Sequence, residues 1–191
     1  MAHVSILGSG NMGPAIAGVV SKGGNTVELF NSSDVHKPVT GDVVVLAVPY
    51  PAVAEVIAQR GEQLAGKIVV DITNPLNVET FDGLTVPSDS SAAAEIAAKL
   101  PRSRVLKAFN TNFAATLASG TVGGLPTTVL IAGDDADAKA LLAGVVSAGG
   151  LRAIDVGGLK RARELESLAF LQITLAAAEK LPWTGGFAVV A

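Results

Sequence analysis

Gly8, Gly10 and Gly13 stand at the end of an apolar run, residues 4–7, and small helix-forming residues follow them at once. Glycines at this spacing are common by chance, so their context decides what they mean. Here a strand precedes them, an Ala-rich helix follows, and a second strand-like run over residues 26–30 closes a βαβ unit of the usual length. Each glycine then has its own role. Gly8 permits the tight strand-to-helix turn, Gly10 lets backbone approach a pyrophosphate, and Gly13 lets helix and strand pack closely. Ser9, Asn11 and Met12 complete the loop, and a helix starting near Asn11 aims free N–H groups and its positive dipole end at the phosphates. An ordinary three-glycine turn is the plain alternative, and the flanking strand and helix weigh against it.

The residue that distinguishes the two nicotinamide dinucleotides lies at the end of the second strand, where an Asp or Glu binds the ribose 2′-OH of NAD. That place falls on Asn31, followed by Ser32 and Ser33. Amide and hydroxyl donors accept a 2′-phosphate, and Lys37 and His36 supply positive charge, so the expected cofactor is NADP. Asp34 or Glu28 would supply the missing acid only if the strand register slipped. A plain Asn/Ser turn explains the residue types but not the absent carboxylate. Later strands end in Ala47, Val48, Pro49 and Tyr50, in Thr73, Asn74 and Pro75, and in Phe109-Asn110-Thr111-Asn112, all expected at one edge of the sheet. Prolines there halt strand pairing and present backbone groups suited to a nicotinamide carboxamide, although each taken singly is also ordinary loop punctuation.

These residues need a scaffold. Apolar, β-branched runs recur at residues 4–7, 26–30, 42–48, 67–72, 104–108, 127–132 and 153–156, with helical patterning over 13–21, 51–60, 91–100, 135–148 and 159–179. The alternation predicts an α/β fold with a doubly wound, mostly parallel sheet of the Rossmann NAD(P)-binding kind, ligands lying beyond the carboxyl ends of the strands. Only eleven residues, 31–41, separate the second and third strands, and they include Pro38 and Gly41. A helix and a further parallel strand need more chain than that, so the fold is shortened here and the adenine side is open.

The 191 residues suit a single domain. Hydrophobic residues make up 49% and charged residues 16%, a lean charge content that suggests a covered apolar face and hence a homodimer. A net charge of −3 without basic blocks argues against nucleic acid. With no Cys, thiolate and Cys-metal chemistry are excluded, and a reducing cytoplasm fits. The longest apolar stretch, residues 168–178, is too short to cross a bilayer, and no signal peptide opens the chain.

Taken together, Gly8–Gly13, Leu46-Ala-Val-Pro-Tyr50, Val70-Asp-Ile-Thr-Asn-Pro-Leu76, Lys107-Ala-Phe-Asn-Thr111 and residues 159–168 resemble the NADP oxidoreductases that use the deazaflavin coenzyme factor 420. The likeness covers nearly the whole chain and extends to small bacterial dinucleotide-binding oxidoreductases with the same shortened segment. The glycine loop alone is also similar to pyrroline-5-carboxylate reductase, a family with a long helical dimerisation domain. The resemblance implies hydride transfer between NADPH and a deazaflavin, a flavin such as FMN, or another small-molecule acceptor. Such chemistry needs two stacked rings and little acid–base help. Two His, no Cys and few ionisable strand-end residues agree with that, and a hydrolytic triad or metal site has nothing to build on. Its rival is a nucleotide-binding sensor that binds NADP without turnover. Lys107 either touches substrate or spans sheet and solvent. Lys160, Arg161 and Arg163 either hold an anionic cofactor tail or form a solvated first turn. Trp183 either stacks on a flat ring or anchors the terminal segment. The helical stretch from Leu165, with Leu168 and Leu171, is the expected dimer contact.

Overall fold

The alternating runs become strands and helices in the predicted order in the computed structural model, which describes residues 1–190. The strands are β1 (His3–Leu7), β2 (Thr26–Phe30), β3 (Val43–Leu46), β4 (Ile68–Asp71), β5 (Arg104–Lys107), β6 (Thr121–Val122), β7 (Leu125–Pro126), β8 (Thr128–Gly133) and β9 (Arg152–Gly157). The helices are α1 (Met12–Lys22), α2 (Val53–Leu64), α3 (Ala92–Lys99), α4 (Ala114–Ser119), α5 (Ala136–Ala148) and α6 (Ala162–Ala177). Seven strands form one sheet in the order β2-β1-β3-β4-β5-β8-β9, and every neighbouring pair is parallel except β5 with β8. Short β6 and β7 pair separately.

Burial explains the strand choice. All four positions of β3 and of β4 are buried, as expected of central strands covered on both faces. One face packs Val4, Ile6, Ile16, Val20, Leu142 and Val146 beneath α1 and α5; the other packs Leu7, Phe30, Leu46, Leu64, Ile96 and Leu100 beneath α2 and α3.

Residues 31–41 contain neither helix nor strand, so β2 is the sheet's outer edge, as the short spacing predicted. The reversal of β8 and β9 was not anticipated. Helix α4 and the β6–β7 hairpin carry the chain from β5 into β8 in the opposite direction, and a run buried on both faces reads alike in either direction. Among the described residues no helix is long and apolar enough to cross a membrane.

Candidate active site

At the β1–α1 turn the three glycines differ in what a side chain would meet. Gly8 has φ +123°, its N–H donates to the Phe30 carbonyl at 3.0 Å, and an added Cβ would collide with the Ala47 carbonyl. At Gly13 an added Cβ would collide with the Gly8 carbonyl, so only glycine lets α1 sit this close to the turn. Gly10 is the opposite case: nothing lies within 4 Å of its Cβ position. Two glycines are demanded by the protein's own packing, and the third leaves space open.

That space belongs to a cavity of about 390 Å³ lined by Gly8, Ser9, Gly10, Phe30, Asn31, Ser32, Ala47, Val48 and Pro49, and by Ala52, Val56, Gln59 and Arg60 from the α2 side. Helix α1 opens toward it with Asn11 at the N-cap, and no side chain accepts a bond from its first N–H groups. By contrast, Ser91 caps α3 through Ala94 N–H at 3.1 Å, and Asp135 caps α5 through Ala138 N–H at 2.7 Å. The first turn of α1 therefore keeps donors for an anion. Met12 packs its side chain on the core.

Past β2 the register does not slip: Phe30 pairs with Leu7, so Asn31 is the first residue beyond the strand. Glu28 lies within β2 with its carboxylate accepting from Ser5 Oγ at 3.0 Å and Thr40 Oγ1 at 2.9 Å. Asp34 turns its carboxylate to the Asn31 N–H at 2.8 Å. Asn31 and Ser32 line the cavity, but Ser33 does not; its N–H and hydroxyl both donate to Asn31 Oδ1. Lys37 holds its ammonium 4.5 Å from the centroid of the Phe30 ring.

The ends of β4 and β5 form a second cluster outside that cavity. Thr73 donates its N–H to Asp71 Oδ1 at 2.8 Å and accepts at its carbonyl from Lys107 Nζ at 2.6 Å. Asn74 and Asn110 bond to each other, with Asn74 Nδ2 on the Asn110 carbonyl and Asn110 Nδ2 on Asn74 Oδ1, both at 3.0 Å. Pro75 accepts from Thr85 at its carbonyl. Thr73 Oγ1 and Asn110 Oδ1 are buried without a partner, polar atoms suited to meeting a ligand amide. Phe109 adopts φ +61° although it is buried, a strained backbone at the point where β5 leaves the sheet. Tyr50, expected beside the cofactor, instead donates its hydroxyl to Glu95 at 2.5 Å, and burial together with that carboxylate raises its pKa.

Lys107 neither reaches solvent nor faces the cavity. It is fully buried, 2.8 Å from Asp71 Oδ2 and 2.9 Å from Glu166 Oε1. Glu166, from α6, also accepts the Ala92 N–H at 3.0 Å and the Ala93 N–H at 3.3 Å, at the start of α3. Burial raises the Glu166 pKa against the opposing pull of Lys107. The strand ends are thus richer in ionisable groups than the sequence implied, but these groups are spent on one another. Arg161 pairs with Glu164, and Arg163 donates to the carbonyls of Pro87 and Ser90, which leaves Lys160 as the unengaged member of that basic turn. Trp183 packs on Phe113, with ring centroids 4.9 Å apart at 51°, and anchors the terminal segment beside the loop after β5. Gln172 fastens the same segment, donating to the Thr111 carbonyl at 3.1 Å and accepting from Phe187 N–H at 3.0 Å.

A sheet wound in this order, with a glycine turn opening an uncapped helix onto a cleft beyond β1 and β3, defines the class of NAD(P)-binding Rossmann folds. Comparison with known proteins narrows the class. Residues 31–75 match the family model described as NADP oxidoreductase, coenzyme F420-dependent. The F420-dependent NADP reductase of Methanocaldococcus jannaschii is 34% identical over 149 residues, 76% of this chain and 66% of that protein. Metalloreductase STEAP3 of Rattus norvegicus is 36% identical over 112 residues, 59% of this chain but 22% of that protein. A crystal structure provisionally assigned as an F420-dependent NADP reductase from Arthrobacter sp. FB24 superposes with a TM-score of 0.83 over 100% of both chains at 25% identity. The chain thus spans just under two thirds of the length of the methanogen reductase it matches and is similar to the F420-dependent NADP oxidoreductases.

Proposed function

We propose that this protein binds NADP(H) in the cleft beyond β1 and β3 and transfers a hydride between its nicotinamide and a deazaflavin or flavin. The observation that carries the reading is the contrast among the glycines. Gly8 and Gly13 are fixed by packing, and Gly10 alone faces open space at an uncapped helix end, which is what a pyrophosphate requires. Ser9, Gly10 and the N–H groups of Asn11, Met12 and Gly13 cradle the phosphates; Asn31, Ser32 and Lys37 meet the adenosine ribose; Val48 and Pro49 flank the chain of the cofactor. Thr73, Asn74 and Pro75 orient the nicotinamide, held rigid by Lys107 and Asn110.

The acceptor ring occupies the ends of β4 and β5 beside the segment carrying Trp183. No titratable group is left free among Asp71, Lys107 and Glu166, so catalysis there rests on holding two rings at hydride distance. The molecule pairs as a homodimer through α6, where Leu168 is half-buried and Leu171 is exposed. Mixing the protein with NADPH and, in turn, oxidised deazaflavin and FMN tests the activity through loss of reduced-nicotinamide absorbance. Loss with the deazaflavin is expected; tight NADPH binding with no loss for any acceptor identifies a sensor instead.

A further inference from the structure

At the outer end of the cavity lies a buried cation with no carboxylate to balance it. Arg60, on α2, is only 6% exposed. Its Nη1 donates to the Lys37 carbonyl at 2.7 Å and its Nη2 to the Asp34 carbonyl, while its Cζ lies 5.3 Å from the centroid of the Phe30 ring. The Lys37 ammonium shares that ring, 4.5 Å from its centroid. Neither cation enters an ion pair among the described residues. The carboxylates nearby are otherwise engaged: Asp34 accepts from Asn31 N–H, and Glu55, on the cavity wall, accepts from Gln59 Nε2 at 2.9 Å.

Backbone carbonyls and a ring face spread a guanidinium's charge but do not cancel it. Burying an uncompensated cation is costly, and an anion brought by a ligand relieves that cost. Arg60 also has three N–H donors beyond the two used on the loop. We propose that Arg60, with Lys37 over the same Phe30 ring, forms the seat for the phosphate on the adenosine ribose, and that the same guanidinium holds the 31–41 loop in place of the missing helix. Gln63 assists from one turn further along α2, accepting the Val39 N–H at 2.8 Å. The inference rests on the dinucleotide reading above and extends it to a residue remote in sequence from the end of β2.

Adenosine 2′,5′-bisphosphate and AMP, differing by the 2′-phosphate, isolate the seat from the rest of the cofactor. Titration calorimetry with both, and with NADPH and NADH, is to be run on wild type, Arg60→Lys and Arg60→Met at two salt concentrations. Arg60→Met is expected to weaken the bisphosphate and NADPH by roughly tenfold or more, to change AMP and NADH by less than about threefold, and to lessen the salt dependence. Arg60→Lys, which retains the charge, is expected to keep part of the preference. If Arg60→Met does not fold, Lys37→Met, altered at an exposed position, is expected to lower bisphosphate affinity several-fold. Equal losses for AMP and bisphosphate in Arg60→Met reduce the residue to scaffolding and overturn the proposal. Wild type binding NADPH and NADH equally overturns it while leaving the dinucleotide reading intact; wild type binding neither overturns that reading itself.

Discussion

Opposite outcomes are expected from substituting two glycines two residues apart. Gly10→Val places its side chain in the cavity, so the variant is expected to fold and melt as wild type yet lose measurable NADPH binding. Gly8→Ala forces a methyl against the Ala47 carbonyl at φ +123°; the backbone strain alone costs about 1–3 kcal/mol, and the collision adds to it. Circular dichroism melts alongside titration calorimetry separate the two, and a folded Gly10→Val with unchanged affinity contradicts the assignment. Asn31→Asp is expected to narrow or reverse the preference for NADPH over NADH, because its carboxylate repels a 2′-phosphate and accepts from a ribose hydroxyl. Dissociation constants for both nucleotides at one ionic strength check it, and an unchanged ratio excludes Asn31 from the ribose site. At this scale the sequence was readable where a residue's role is local. Glycine at a strand-to-helix turn and the absence of an acid after β2 need only neighbouring residues to interpret. Arg60 carried no such signal, since its place in the cavity depends on how α2 lies over a loop more than twenty residues earlier.

Elements are tied together at the sheet's carboxyl edge by a buried ion cluster that joins β4, β5, α3 and α6. Removing its only cation with Lys107→Met leaves Asp71 and Glu166 buried together, and a loss of about 3–5 kcal/mol in urea unfolding is expected. A loss below about 1 kcal/mol refutes that role. Glu166 adds a pH dependence whose sign follows from its raised pKa. The folded state holds this proton more tightly than the unfolded chain, so its contribution is present at acid pH and fades as pH rises through the folded-state value. Wild type measured against Glu166→Gln is therefore expected to lose relative stability as pH rises through and above the carboxylate range, and a flat difference contradicts it. The elements themselves were largely legible from period and punctuation: Pro38 and the short spacing excluded a helix after β2, and both-face burial marked the central strands. Strand direction beyond β5 was not, because burial pattern carries no polarity.

For the whole molecule, the unpaired side of α6 is the test of assembly. Leu171 is 51% exposed on a helix whose other face is buried against the fold, and sedimentation at micromolar concentration is expected to show a dimer that Leu171→Glu converts to monomer. A wild-type monomer excludes this interface.

Trp183 is the only tryptophan of the chain, and it rests on Phe113, next to the loop where β5 ends. The protein consequently carries a built-in fluorophore at one place. With the indole half exposed, its emission colour reports whether the segment around it, residues 181–190, is docked, independently of whether the sheet is intact. Bound reduced nicotinamide absorbs where indole emits, so the same lone chromophore makes occupancy of the cleft visible as quenching, without a label and without turnover.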